Sequence, residues 1–199
     1  MLINLSIKSR LIFVIALLSI LMAALGGAGL YGLINVNHSL RTVYEDRLIP
    51  MGQLDQVIRL INRNQLIIAK SISGDPAQIG KEIEAVEKNI GDVNKIWAEY
   101  MATYLTPEEK IIADQLVQAR KDFLEDGLKP ALAAARTQNI PLMTELLHGK
   151  MQQRYEKVRE AMNSLIQLQF SIGKKEYEQS QNFYGHFRLY STITMLLGL

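Results

Sequence analysis

Apolar and polar positions divide this chain into stretches of different pattern. Residues 11–36 run without a charged side chain. Residues 190–199, YSTITMLLGL, open a second apolar run. Between the two, apolar residues return every three or four positions, the period of an amphipathic helix. No strand-like alternation is long enough to compete. A bilayer core takes roughly 20 apolar residues in a helix. The first run therefore predicts a transmembrane helix, and the second a span that the sequence enters but does not complete.

Local punctuation predicts four helices in the middle. The first continues from the apolar run over about 37–72. Pro50 interrupts it, predicting a bend or local opening there. Ser73, Gly74, Asp75 and Pro76 end it. Asp75 is placed to cap the second helix, with Pro76 at its first position and Gln78 in the reciprocal capping position. That helix reaches about Tyr104. Thr106–Pro107–Glu108–Glu109 reads as a capping box opening a third helix, which runs to about Arg136 with a bend at Pro130. Thr137, Gln138 and Asn139 form a polar turn. The fourth helix starts near Ile140 and runs through Tyr177 toward the second apolar run, with Gly149 as a point of kinking.

Turns this short make consecutive helices antiparallel neighbours. The predicted fold class is therefore all-α: an antiparallel up-down-up-down four-helix bundle flanked by transmembrane helices, the second truncated. At about 1.5 Å per residue the first helix extends about 55 Å beyond the membrane. Its core stripe is Leu54, Val57, Ile58, Ile61 and Ile68. The second helix offers Ile83, Val86, Ile90, Val93 and Ile96 or Trp97. The third offers Ile111, Leu116, Phe123, Leu128 and Leu132. The fourth offers Leu146, Met151, Val158, Met162, Leu165, Leu168 and Phe170. A weaker apolar face on the first helix, Ile49, Leu60, Leu66 and Ile67, predicts a second packing partner, the same helix of another copy in an isologous homodimer.

Charge sets the orientation. Lys8 and Arg10 precede the first span, whereas Asn35, Asn37, His38 and Ser39 surround its exit. Positive charge favours the cytoplasmic side. Residues 1–10 are thus expected in the cytoplasm, 11–36 in the membrane, 37–188 outside as the four-helix bundle, and 189–199 at the start of the second span. A signal peptide shares the basic start, but the apolar character persists to Val36, longer than a signal core. Net charge is +2, from 22 basic and 20 acidic residues, with no basic stripe for nucleic acid. There is no cysteine, which excludes disulfides, thiolate metal sites and cysteine nucleophiles.

No catalytic or cofactor motif occurs, and His38, His148 and His186 lie too far apart in the sequence for one metal site. The expectation is a non-enzyme with no cofactor and no metal. Asp114, Glu125 and Asp126 read as solvated helix charges. Arg59 and Arg63 are the candidates for chemistry. Four residues apart, they stand one above the other on one helix face, with Lys70 continuing the line. Guanidinium groups suit carboxylates, which they hold with paired hydrogen bonds. The predicted distal end of the bundle adds Arg136 and, from the fourth helix, Thr144, His148, Gln152 and Tyr155. An exposed basic face balanced by acids or solvent fits the same residues.

The opening LSIKSRLIFVIALL, the glycine-softened span, YEDRLIPMGQL, QVIRLINRNQLIIAK, the YLTPEEK turn and a fourth helix entering a second span together carry a resemblance. The pattern resembles the four-helix-bundle sensor of bacterial methyl-accepting chemotaxis receptors over essentially the whole chain. The resemblance implies an inner-membrane homodimer with a periplasmic sensor. It implies an amino acid or small carboxylate ligand held between the first and fourth helices at the dimer interface. Arg63, in NRNQLI, is similar to one arginine position of the family, Arg59 lies one residue out of register with another, and Ile67 fills a third. Thr144 and His148 fall where the family holds a ligand's amino group. These departures admit a di- or tricarboxylate, or an aromatic or hydroxy acid. The resemblance also implies signalling by displacement of the fourth helix and second span. A cytoplasmic kinase and adaptor would be reached through a C-terminal part that this sequence does not contain. The alternatives are the same sensor on a membrane histidine kinase or cyclic-dinucleotide enzyme, and a ligand-free structural bundle.

Overall fold

The computed structural model describes residues 6–198, and among them every regular element is helical. The helices are α1 (Ile7–Val43), α2 (Ile49–Ser73), α3 (Ile79–Met101), α4 (Pro107–Asp122), α5 (Lys129–Arg136), α6 (Ile140–Leu146) and α7 (Gln152–Gly198). Single π-helical turns join α1 to α2 (Tyr44–Leu48), α4 to α5 (Phe123–Leu128) and α6 to α7 (Leu147–Met151). Four long helical runs result, at the places that the sequence pattern predicts.

Two of the π turns have one cause. A proline has no N–H for the carbonyl four residues back, and its ring presses on that carbonyl. For Pro50 that residue is Asp46, and for Pro130 it is Asp126; both lie inside a π turn. The expected interruption at Pro50 and bend at Pro130 thus appear as a widened turn just before each proline. The third π turn contains Gly149, whose φ of −100° and ψ of −107° are not helical. This is the kink expected there.

Caps set the remaining boundaries. Glu109 N–H donates to Thr106 Oγ1 at 3.2 Å, and Thr106 N–H donates to Glu109 Oε2 at 3.4 Å, completing the capping box. Asp75 differs from expectation. It accepts from Ala77 N–H at 3.0 Å, the first turn Pro76–Gln78 is a tight 3-10 turn, and the Gln78 side chain makes no capping bond. Gln138 takes a positive φ of 53° in the turn before α6. Asn139 then caps α6 by accepting from Leu142 N–H at 3.1 Å.

The chain divides into two compact units. One holds the described residues up to Tyr44 together with those from Gly173 on; the other is Glu45–Ile172. In the first, α1 is long and apolar enough to cross a membrane by length and composition, and Leu11, Phe13, Ile15 and Ile20 are exposed. Gly32 is buried, and a Cβ placed there would meet the Phe187 ring at 3.4 Å. Tyr31 packs edge-on to Phe183 at 6.2 Å. Of the second apolar run, Leu199 lies outside the described residues.

The second unit holds the hydrophobic core. Leu54, Val57, Ile61 and Ile68 of α2 pack with Val86, Val93 and Trp97 of α3. Leu116, Phe123, Leu128 and Leu132 join Met151, Val158, Met162 and Leu165. These fill the stripes that helical spacing assigns. Two assignments are corrected: Ile111 is 62% exposed and Phe170 is 67% exposed. The buried positions belong to Glu109 and Gln169, each fully enclosed. Glu109 is seven residues before Leu116, and Gln169 four after Leu165, so helical phase points both inward.

These polar residues form a buried cluster. Arg47 Nη1 donates to Glu109 Oε2 at 3.4 Å and to Gln169 Oε1 at 3.1 Å. Tyr100 OH donates to Glu109 Oε1 at 2.6 Å, and Gln169 Nε2 donates to the same oxygen. One carboxylate thus ties all four runs together. Burial, and then the hydrogen bond to Glu109, push the Tyr100 hydroxyl well above its ordinary range.

Candidate ligand-binding site

The charge-bearing face of α2 lies along one stripe. At 100° per residue, Arg59, Arg63, Leu66 and Lys70 share a narrow sector, and all four are exposed. The buried residues Leu54, Val57, Ile61 and Ile68 hold the opposite side against the core, which fixes the stripe outward. Arg59 Nε donates to Asp55 Oδ2 at 2.7 Å, one helical turn back. Arg63 has no ion pair among the described residues. The stripe therefore presents one neutralised guanidinium, one free guanidinium and an ammonium beside an exposed leucine. Arg59 also borders a shallow cleft between α2 and α3 whose rim mixes Asp92, Lys95 and Glu99. That rim has no preference for anions.

The other predicted site residues have partners of their own. Arg136 pairs with Glu87 of α3. Thr144 Oγ1 donates to the Ile140 carbonyl at 2.9 Å. His148 Nδ1 sits 3.0 Å from the Thr144 carbonyl oxygen, which brings those two candidates together. Gln152 donates to Glu156 at 2.8 Å. The half-buried Tyr155 ring meets Phe123 edge-on at 6.3 Å. No hydrogen bond or ring contact joins this group to Arg59 or Arg63 among the described residues.

Sequence pattern passes over one further arginine. Arg120 lies four residues after Leu116 and three before Phe123, a core phase for a charged side chain. Its guanidinium lies over the Trp97 ring at 5.1 Å, and its Nη2 donates to Asn94 Oδ1 at 3.1 Å. The charge in a core phase was the available signal.

No cluster of three or more histidine or acidic side chains among the described residues has the arrangement of a metal site. A family model described as the Tar ligand binding domain homologue matches residues 1–172. Comparison with curated proteins finds no match, and comparison with solved structures finds none.

Proposed function

This chain belongs to the family of Tar ligand binding domain homologues, and from that membership we propose that it is the sensing part of a membrane chemoreceptor. The family is one of ligand-binding domains, not of enzymes. In the proposed arrangement residues 11–36 and 189–199 belong to the two membrane anchors and 37–188 form a periplasmic bundle. The anchors lie in a bacterial inner membrane, and residues 1–10 face the cytoplasm. Cross-helix pairs support an antiparallel up-down-up-down order. Ser71 meets Glu82 and Asn64 meets Asn89; Trp97 meets Arg120 and Glu87 meets Arg136; Glu109 meets Gln169 and Asp126 meets Arg154, so residue numbers rise on one helix as they fall on the next.

The ligand is a small organic anion, a carboxylate or an amino acid. The observation that carries this reading is the exposed, unpaired Arg63 in a stripe with Arg59, Leu66 and Lys70. An arginine fork without an acid partner holds a carboxylate through two charge-assisted hydrogen bonds. Leu66 in the same stripe suits an isologous contact with a second copy, which would place two such stripes face to face. Thr144, His148 and Gln152, near the start of the fourth run, then supply polar groups to the ligand's other end, with Arg136 and Tyr155 as flanking groups. Ligand must favour one arrangement of the helices over another to transmit anything. The unbroken α7 is the element suited to carry a small displacement, and a cytoplasmic kinase and adaptor would read it.

Thermal melting of the full chain in lipid nanodiscs against a panel of amino acids and aliphatic carboxylates, without aromatic acids, tests this. At least one acid is expected to raise the melting temperature, because a ligand of the folded state alone must do so. Arg63→Ala is expected to remove the shift and Arg59→Ala to reduce it. A panel without any shift, or a shift indifferent to both substitutions, overturns the reading.

A further inference from the structure

The Glu45–Ile172 unit contains a cavity that the α2 stripe does not use. It has a volume of about 260 Å3 and lies between α2, α3 and the third helical run. Ile61, Ile90, Val93, Phe123 and Leu128 supply apolar walls, and Trp97 lines one side. An apolar cavity of about 150 Å3 is enough to hold a benzene ring. This one has room for a ring and a polar substituent.

Its polar lining is one-sided in charge. Arg120 and Lys121 contribute cations, Asn64 and Asn94 are neutral, and no acid lines the cavity. Arg120 has no ion pair among the described residues, and its buried Nε finds no acceptor. Burial pulls its guanidinium down to about 10. A desolvated cation without a counter-charge is costly to keep in a fold. Asn94 orients the group from one side and Trp97 supports its face, so the guanidinium is fixed in position while its charge remains unanswered.

We propose that this cavity is a second ligand site, for a small carboxylic acid with a flat apolar body, of the aromatic acid class. The ring lies among Trp97, Phe123 and Val93. The carboxylate takes Nη–H groups of Arg120, whose Nε is itself enclosed, in the paired geometry that a guanidinium offers. Lys121 strengthens the field at the rim. The site is separate from Arg63 and stands or falls independently of the stripe on α2.

Trp97 is the single tryptophan of the chain and lines this cavity, so its emission reports on the site. Benzoate titrated into the full chain in nanodiscs is expected to change Trp97 emission saturably and to raise the melting temperature. Acetate, which lacks the ring, and toluene, which lacks the carboxylate, are each expected to bind at least tenfold more weakly. Arg63→Ala is expected to leave the benzoate response intact. Arg120→Met is expected to melt no lower than the parent without benzoate, and to weaken benzoate binding at least tenfold. If Arg120→Met proves unstable, Arg120→Lys, which keeps the charge but loses the fork, is expected to weaken binding by a similar factor. The proposal is overturned if Trp97 emission does not respond to benzoate. It is equally overturned if toluene matches benzoate, if the response depends on Arg63, or if the Arg120 variants bind benzoate as the parent does.

Discussion

Glu109 shows how much one side chain can hold. Its backbone N–H and its carboxylate complete the Thr106 cap, while the same carboxylate receives Arg47, Tyr100 and Gln169. Removing one partner of a buried ion pair leaves the other charge uncompensated, which costs about 3–5 kcal/mol. Glu109→Ala is expected to lose stability of that order in urea unfolding. A loss near zero would mean that Arg47 reaches water. The tyrosine in this cluster carries its own test. Folding favours the neutral Tyr100 hydroxyl, so its folded pKa lies above the unfolded value of about 10. The resulting stabilisation is complete below pH 10 and is lost as the pH rises beyond it. Tyr100 is expected to stay un-ionised in an alkaline absorbance titration until the protein unfolds. Tyr100→Phe should delete that late step; a parent protein that ionises all its tyrosines before unfolding contradicts it. Arg120 has the opposite sign. Its depressed value of about 10 destabilises the fold at neutral pH, and the penalty fades as the pH climbs above about 10.

At the scale of elements, much was legible because the signals are local. The Thr106–Pro107–Glu109 box, the Asp75–Pro76 boundary and the polar turn before Ile140 each need only a few neighbouring residues, and each occurs where expected. The stripes were legible wherever apolar residues hold the core phase. They misled at Ile111 and Phe170, because the inward positions nearby belong to polar residues. A hydropathy pattern cannot see a core position held by Glu109 or Gln169, whose burial depends on partners from other helices. The widened turns at Pro50 and Pro130 were foreseen as breaks, yet their form was hidden. Proline states what a helix lacks, and the surrounding packing decides how the ladder closes. Two glycines inside helices separate packing from propensity. At Gly127 a Cβ would come within 2.9 Å of the Met151 backbone, whereas at Gly91 it meets nothing within 4 Å. Gly127→Ala is expected to destabilise by about 1–3 kcal/mol through overpacking. Gly91→Ala is expected to stabilise by up to about 1 kcal/mol through helix propensity. Thermal melts of the two variants moving in the same direction would contradict this division.

For the whole molecule, the site was less legible than the fold. Arg59 and Arg63 could be placed on one face from their spacing, but not their state. Asp55, four residues before Arg59, neutralises one and leaves the other. In the proposed dimer the site has half its partners outside the chain, so single-chain reasoning would reach only the half that one copy supplies. The absence of cysteine makes the shared face testable. Leu66→Cys, in the exposed stripe of α2, is expected to form a disulfide-linked dimer under mild oxidation in nanodiscs. Ile111→Cys, equally exposed on α4, is expected not to. Cross-linking of Ile111→Cys alone would move the interface to another face.

The claim that the chain senses and transmits is tested most directly by joining it to the cytoplasmic output of a chemoreceptor. Kinase activity is then read against the acid that raises its melting temperature. The account predicts a saturable change in kinase activity over the same concentrations as the melting shift, absent in Arg63→Ala. Kinase activity that ignores an acid which the chain binds would contradict it.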